Sequence, residues 1–514
     1  MNLFVQQHAK SVMGMIRGWD RLRFRGTVRM LANLTGMNNF LSYTHHKLKD
    51  FGDYAQQASR QIRSASLEVA ESAARRVVHL DNPRANKEQK ALEIAEQDGI
   101  GEGLIAVLTA VESCHSYDVR SDRQRGLLEL YPRPRKCQHL YHYMIHPDFG
   151  LLYVRLQTWF PFNLFVGLNG RQWLARQMDA AGIKYLRQDN CFPWISDPET
   201  AQRLLEEQVN WNWEQTLGEL ARQVNPALAQ IIGGYRIGYY WSLDQSEWAT
   251  DVMFKDSQEL DRLYPDLVRH AMESLRSPQV MSFLGRSVAR GITPRFSGEV
   301  ISDLHRRIEG TRVKHCVNRN SVKMYNKAGS ILRVETTLND VHDLQSPRVV
   351  NGKKVWKRMR KGVADVPRRA EVSDASCRRY LDALASVSTP LPLKTLTDRL
   401  SRPTKCKGKC ARGLNLLGQD AAMLEVVGGG EFLINGFRNR DLQAALFGPA
   451  TDDPAAKRRR SGQVTRKLRL LRAHGLIHKV PHTHRYRVSP QGRQVIAALH
   501  AAKEADIHKL TKAA

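Results

Sequence analysis

Apolar and polar residues alternate along this chain in blocks of changing period, and the period sets the expected elements. Asp53 to Leu80, "DYAQQASRQIRSASLEVAESAARRVVHL", has the Ala-rich, charged spacing of a helix and runs into a short strand. "GLIAVLTAV", from Gly103, is continuously apolar, as a buried strand is. Between Cys137 and Val166 the chain turns aromatic and β-rich. "HLYHYMI" and "LLYVRLQTW" flank "HPDFG", whose Pro and Gly predict a turn between two strands. "NGRQWLARQMDAAGI" reads as a turn and an amphipathic helix ending at Gly182. β-branched residues on both sides of "NKAGS" predict a strand–turn–strand between Arg312 and Asp340. Helical spacing returns from about 370 to 430, interrupted by "RPTKCKGKCARG". No internal repeat, heptad array or low-complexity tract interrupts the pattern.

Two more helical stretches come near the end. In "GEFLINGFRNRDLQAALFG", Leu442, Leu446 and Phe447 form a stripe, with Asn439 and Asp441 as cap candidates. In "DDPAAKRRRSGQVTRKLRLLRAHGLI", Val464, Leu468, Leu471 and Leu476 face inward, while Arg466, Lys467, Arg469 and Arg472 face outward. Arg458, Arg459 and Arg460 precede them, and Gly475 is the stop. "IHKVPHTHRYRV" reads as two short strands around "PHTH". Helix, basic helix and basic hairpin together resemble the winged-helix family of DNA-binding domains. The resemblance implies a recognition helix in the major groove and a wing against phosphates. By it, Arg466, Lys467 and Arg469 approach the duplex, and Lys479, His484, Arg485 and Arg487 brace the wing.

The expected fold is a mixed α/β (α+β) multidomain body followed by that winged helix. The segments are 1–125 (α/β), 126–235 (aromatic, β-rich, with helices), 236–345 (α/β, with an acidic cluster), 346–430 (basic linker and helices) and 431–514 (winged helix and basic tail).

Charge sharpens this picture. The 514 residues carry 79 Lys and Arg against 51 Asp and Glu, a net charge of +28. An excess of that size repels itself unless an anionic partner neutralises it, and nucleic acid is the usual partner. After residue 450 alone there are 15 basic and four acidic residues. "NGKKVWKRMRKG" adds Lys353, Lys354, Lys357, Arg358 and Arg360 as a dense basic loop or strand edge. Arg residues interleave with aromatics in "GWDRLRFRGTVRML" and "LYPRPRKCQHLYHY", which suits a single-stranded backbone with stacked bases. Each aromatic taken singly, Trp211 or Trp213 for instance, is more often a core filler. DNA or RNA is therefore the expected partner, and a bound structured RNA in a ribonucleoprotein is one form of it. No apolar run reaches the roughly 20 residues that span a bilayer. The first residues lack the pattern of a secretory signal. Seven scattered cysteines fit a reducing cytoplasm better than a disulfide framework.

Catalytic chemistry has two candidate sources. "KMYNKAGSILRVE" is similar to a stretch in rolling-circle replication initiators of phages and plasmids, in which a Tyr-Asp-Lys turn precedes Leu-Arg-Val-Glu. Tyr325 and Lys327 match the turn, and Leu332, Arg333, Val334 and Glu335 match the strand; Asn326 departs from the usual acid. The resemblance implies a mobile-element nickase with a metal site and a tyrosine nucleophile. The histidine pair of such enzymes is not matched: on a strand, His142 and His146 of "HLYHYMIH" share a face and His139 points away. The second source is "YYWSLDQSEWATDVMF". If this is helical, Asp244, Glu247 and Asp251 share one face, and their mutual repulsion calls for a cation. Mg²⁺ is the expected cofactor, with Asp244, Glu247 and Asp251 as ligands and Glu335 joining them in catalysis. Arginines from "RIGYYW" or "LHRRIEG" are the structural alternative to a metal. Asp20, Glu299 and Asp303 join only if the fold brings them close. "CKGKC" lacks a second ligand pair, so no zinc is expected. "VVGGGEF" lacks the Lys-Ser/Thr of a phosphate-gripping loop.

Overall fold

The computed structural model describes residues 2–124, 126–233, 238–285, 299–307, 310–385, 393–406, 408–429, 432, 436–449, 451–481 and 483–504. The fold is mixed α+β. Its centre is one eleven-stranded sheet built from β1 (Val12–Thr27), β2 (Arg76–His79), β3 (Gly103–Asp122), β4 (Leu127–His146), β5 (Gly150–Gln157), β6 (Leu164–Asn169), β9 (Tyr240–Phe254), β10 (Val300–Arg307), β11 (Gly310–Val317), β12 (Asn320–Lys327) and β13 (Ile331–Leu338). β7 (Tyr185–Gln188) and β8 (Cys191–Ile195) form a separate hairpin. The spatial order is β10-β11-β12-β13-β9-β1-β6-β5-β4-β3-β2, antiparallel throughout except for β2 against β3.

The three segments 1–125, 126–235 and 236–345 share this sheet. β1, from the first, hydrogen-bonds β6 of the second on one edge and β9 of the third on the other. One apolar core accordingly runs from Phe4 to Ala385. A second core, Leu400 to Leu499, belongs to the C-terminal unit.

Several sequence expectations are met locally. Helix Phe51–Ser72 leads into β2, and helix Gly170–Ala180 follows β6 with the Asn169 side chain accepting from the Arg171 and Gln172 amides. β4 and β5 pair across His146 and Gly150, and β12 and β13 pair across the 328–330 turn. Phe160 and Trp213 are core residues, as aromatics usually are, while Trp194 is partly exposed.

The segment from Tyr240 to Phe254 is a strand, not a helix. It lies between β1 and β13 and is buried on both faces from Trp248 onward, so period-two alternation is lost where the sheet is covered twice.

In the C-terminal unit, helix Asn439–Phe447 is followed by helix Pro454–Ala473, which Asp453 caps from its side chain. Leu442, Val464, Leu468, Leu471 and Leu476 are buried, and Gly475 leaves the helix at φ +71°. β18 (Ile477–Lys479) and β19 (Tyr486–Val488) form a hairpin, and Phe437 bridges to Tyr486 beside it. Among the described residues no helix is long and apolar enough to cross a membrane.

Candidate functional site

The neighbours β12, β13, β9 and β1 bring charged residues from distant parts of the sequence onto one sheet face. The register sets Lys323 opposite Glu335 and Tyr325 opposite Arg333. Across the next seam Arg333 lies opposite Asp251, and Glu335 lies opposite Ala249, two residues from Glu247. Opposite partners share a face and the side-chain period is two, so these residues lie on the same side of the sheet. Asp20 follows Trp19, which lies opposite Trp248, and so falls on the side of Glu247. Between Trp19 and Leu22, β1 holds one residue more than β9, and both residues of this bulge, Asp20 and Arg21, line the cleft.

The outcome is a carboxylate trio. One ligand oxygen from each of Asp20, Glu247 and Glu335 lies within 4.8 Å of the other two. Asp20 and Glu335 are buried and Glu247 is half-buried. Asn190 donates to Asp20 Oδ1 at 2.6 Å. Lys323 Nζ donates to Glu335 Oε1 at 2.6 Å, and the Tyr325 hydroxyl donates to Glu335 Oε2 at 2.8 Å. The trio floors a cleft of about 210 Å³ whose other walls include Arg21, Arg312, Lys323 and Lys327. Acids form the floor and cations the rim.

Next to the cleft lies a different arrangement. Arg333 grips Asp251 with two parallel bonds, Nε to Oδ1 at 2.6 Å and Nη2 to Oδ2 at 2.8 Å. Arg171 approaches Asp251 Oδ2 at 3.1 Å and also donates to the Ala249 carbonyl. All three side chains have zero exposure. Asp251 is thus saturated by two guanidinium groups, an interior ion-pair network rather than an open ligand.

The trio's members differ in how far their neighbours offset burial. Burial would raise the Glu335 carboxyl, but Lys323, Arg333 and the Tyr325 hydroxyl together hold it below its usual range. Burial raises Asp20 against the pull of Arg333, with the Glu335 charge adding to the rise. Glu247 is raised by burial and then by the Glu335 charge, with Lys323 opposing. Two of three carboxylates are therefore held above their ordinary range, by burial and by the neighbouring Glu335 charge. Oxygens around an octahedral Mg²⁺ at about 2.1 Å stand roughly 3 Å apart along an edge and about 4.2 Å across. A spread of at most 4.8 Å needs only a small contraction to reach that geometry.

A stability consequence follows. A carboxyl raised by the fold costs nothing below its unfolded pKa, where it is protonated in both states, and penalises the fold increasingly as pH rises through the folded value. Glu247→Gln is expected to raise stability near pH 7 by about 1 kcal/mol in the absence of divalent cations, with no gain at acid pH. Thermal melts across pH check this; an equal gain at every pH contradicts it.

The structure redistributes the acidic candidates. Glu247 and Glu335 converge with Asp20. Asp244 is the extra residue where β9 bulges, between Gln245 opposite Arg23 and Leu243 opposite Phe24, and lies 3.8 Å from Lys361. Asp251 is about 13 Å along the strand from Glu247, at 3.3 Å per residue, and is closed by its arginines. Neither Asp244 nor Asp251 joins Glu247 in a ligand group among the described residues: a strand spreads over about 13 Å what a helix would bring within one turn, and Asp251 is already taken by its arginines. The arginines that neutralise Asp251 come from the helix after β6 and from β13; of the two segments expected to supply them, Arg236 lies outside the described residues. Glu299 and Asp303 stand at the β10 edge, away from the cleft lining. Asp20, Arg171 and Arg333 are the groups that local spacing alone did not assemble.

The histidines have structural surroundings. His142 is fully buried at 2.6 Å from Ser66 Oγ, and burial lowers it to about 4. His139 is buried too and is likewise lowered to about 4. Among the described residues, the carboxylate trio is the one group of three or more metal-ligating side chains. "CKGKC" forms the hairpin β16 (Thr404–Cys406) and β17 (Lys409–Ala411); Cys410 is exposed and the Cys406 side chain lies outside the described residues.

Among the basic candidates, Arg458, Arg459, Arg466, Arg469 and Arg472 are exposed on helix Pro454–Ala473. At 100° per residue they occupy one side, opposite Val464, Leu468 and Leu471. Lys467 turns instead to the Gln419 carbonyl at 2.9 Å, and Arg460 to the Pro449 carbonyl and the Phe447 ring. Lys479, His484 and Arg487 are exposed on or beside the hairpin, whereas Arg485 is half-buried and donates to the Gly436 carbonyl. Lys353, Lys354, Lys357, Arg358 and Arg360 are all exposed.

The chain matches no known family model, no curated protein and no solved structure.

Proposed function

We propose that this chain is a nucleic-acid-binding protein that cleaves phosphodiester bonds with a divalent cation, Mg²⁺ being the natural choice, held by Asp20, Glu247 and Glu335. The observation that carries the reading is the carboxylate trio, two of whose members lack full compensation, in one cleft with Arg21, Arg312, Lys323 and Lys327. Acids alone suit a cation and bases alone suit a phosphate. The two together suit a phosphate whose oxygens share a metal with the protein.

The bound ion would polarise a phosphoryl oxygen and acidify a water. The chain's own groups do the rest. Lys323 and Tyr325 fix the orientation of Glu335 through both of its oxygens, as outer partners fix a ligand. Asn190 does the same for Asp20. The rim cations hold the flanking phosphates by charge-assisted hydrogen bonds. In this reading the C-terminal unit is a winged helix that grips duplex DNA through the arginine face of Pro454–Ala473, a surface whose charge and amphipathic division support the role. The partnership of a nicking body with a duplex-binding tail fits a cytoplasmic replication initiator or transposase-like protein of a mobile element.

Supercoiled plasmid incubated with the protein and Mg²⁺ tests the reading. Nicked circles are expected, absent with EDTA and absent in Asp20→Asn. Cleavage that survives EDTA, or an Asp20→Asn protein as active as wild type, contradicts it.

A further inference from the structure

One basic element stands apart from both the cleft and the C-terminal helix. β14 (Gln345–Val350) and β15 (Lys353–Arg358) pair only with each other and make no part of the large sheet. Asn351 and Gly352 join them, at φ +50° and +70°, the left-handed pair that a tight hairpin turn of this twist demands. The base of the hairpin is clamped. Asp365 accepts from Ser346 Oγ at 2.8 Å, from the Arg360 amide at 2.8 Å and from Arg348. Its tip is open, with Val349 74% exposed beside Lys353 and Lys354.

The two faces of the hairpin differ. The register places Val349 opposite Lys354, Pro347 opposite Trp356 and Gln345 opposite Arg358, so these six share a side. On that side the Trp356 ring has two guanidinium neighbours, Arg368 at 5.1 Å from its centroid and Arg485 at 5.3 Å. Arg485 belongs to the C-terminal unit, between β18 and β19. The face that carries the exposed valine and the tip lysine is therefore continuous with the C-terminal hairpin. Nothing in the chain neutralises Lys353, Lys354 or Lys357 with an ion pair among the described residues. A β-branched residue left largely exposed beside a lysine at a basic hairpin tip suits a partner that is polyanionic at its rim and apolar within. A nucleic-acid groove has that profile, with phosphates along its edges and base edges or thymine methyl groups inside. A two-stranded β-ribbon fits the major groove of B-form DNA.

We infer that the hairpin Gln345–Arg358 is a second duplex-DNA-binding element, and that it engages the same duplex as the C-terminal helix because the Arg368–Trp356–Arg485 stack fixes one against the other. The inference rests on the reading of the C-terminal unit as a duplex binder. Lys354, on the side of Val349, and Lys353, on the opposite side at the tip, meet phosphates, and Val349 enters the groove beside Lys354. Trp356 is a positioning residue and touches no DNA.

Fluorescence anisotropy with a labelled duplex of about 30 base pairs, titrated at several salt concentrations, tests this on the full chain. Lys353→Glu/Lys354→Glu is expected to weaken binding at least tenfold and to reduce the salt slope by about two, near 0.9 per lost phosphate contact. Both substitutions lie on exposed side chains, and circular dichroism verifies the fold. Wild-type affinity and slope in this variant overturn the inference if Arg466→Glu/Arg469→Glu has lost binding. Wild-type protein that binds no duplex at any salt, or binds structured RNA in its place, overturns the underlying reading instead. Trp356→Ala is expected to weaken binding and Trp356→Phe to restore it, since Phe keeps a ring for the two guanidinium groups. A Trp356→Ala protein that binds as wild type removes the coupling.

Discussion

Glu335→Gln is expected to reduce Mg²⁺-dependent cleavage by about three orders of magnitude while the protein stays folded. Gln keeps the shape of the side chain and can still meet Lys323 and Tyr325, but it removes the one carboxylate of the trio that the fold holds below its ordinary range. That carboxylate is ionised whenever the cleft could bind a cation. A metal contributes several kcal/mol to stabilising charge in the transition state, and each 1.36 kcal/mol is about a factor of ten. Stability moves the other way from Glu247→Gln. A carboxylate with a depressed pKa contributes stability above its unfolded value, and that contribution is lost as pH falls through the folded value. Glu335→Gln therefore loses a little stability at neutral pH where Glu247→Gln gains some. Single-turnover cleavage of a labelled oligonucleotide, paired with a melt of each variant, reads both quantities. Residual activity within tenfold of wild type would remove Glu335 from the site.

Arg333→Met is expected to cost about 3–5 kcal/mol in unfolding free energy, the scale of breaking a buried ion pair from one side. Arg333 has no exposed surface, holds Asp251 through two hydrogen bonds, donates to the Asn190 carbonyl at 2.8 Å and lies 3.5 Å from Asp20. Met fills much of the volume, so the loss is electrostatic: Asp251 keeps only Arg171. Asp251 is held below the carboxylate range in the native protein, against its burial, by Arg333 and then Arg171. Its share of stability is present above the unfolded pKa and lost as pH falls through the folded value. The gap between Arg333→Met and wild type is therefore widest near neutral pH and narrows in acid. Denaturant titrations at two pH values check the sign. A gap that is constant with pH would make Arg333 a packing residue and nothing more.

These two variants separate functions that a single run of sequence mixes. Arg333 and Glu335 are two residues apart in "LRVE", on the same face of β13. One anchors the interior network and the other floors the cleft. The resemblance to replication initiators drew attention to both residues but did not divide the roles between them. Division requires the neighbours: β9 supplies Asp251 to the first, and β12 supplies Lys323 to the second.

How far the sequence could be read depended on how local the cause was. β4, β5, β12 and β13 were legible because alternation and turn residues are properties of a few adjacent positions. The amphipathic helix Pro454–Ala473 and its glycine stop were legible for the same reason. β9 was not. Its two buried faces erase alternation, and carboxylates at intervals of three and four then mimic a helix face. Asp20 was the hardest case. It meets Glu247 only because β1 and β9 are neighbours in space, a pairing that leaves no mark in "GWDRLRF". That one sheet runs through the segments divided near 125, 235 and 345 was equally illegible, since the pairing of β1 with both β6 and β9 is a long-range fact.

The proposed activity requires a cation held by three carboxylates. Calorimetric titration of Mn²⁺, as a Mg²⁺ surrogate, into wild-type protein and into Asp20→Asn addresses that without any nucleic acid present. One binding event per chain, lost in Asp20→Asn, is the expected result. An isotherm shared by both proteins, or a flat trace from the wild type, would contradict it.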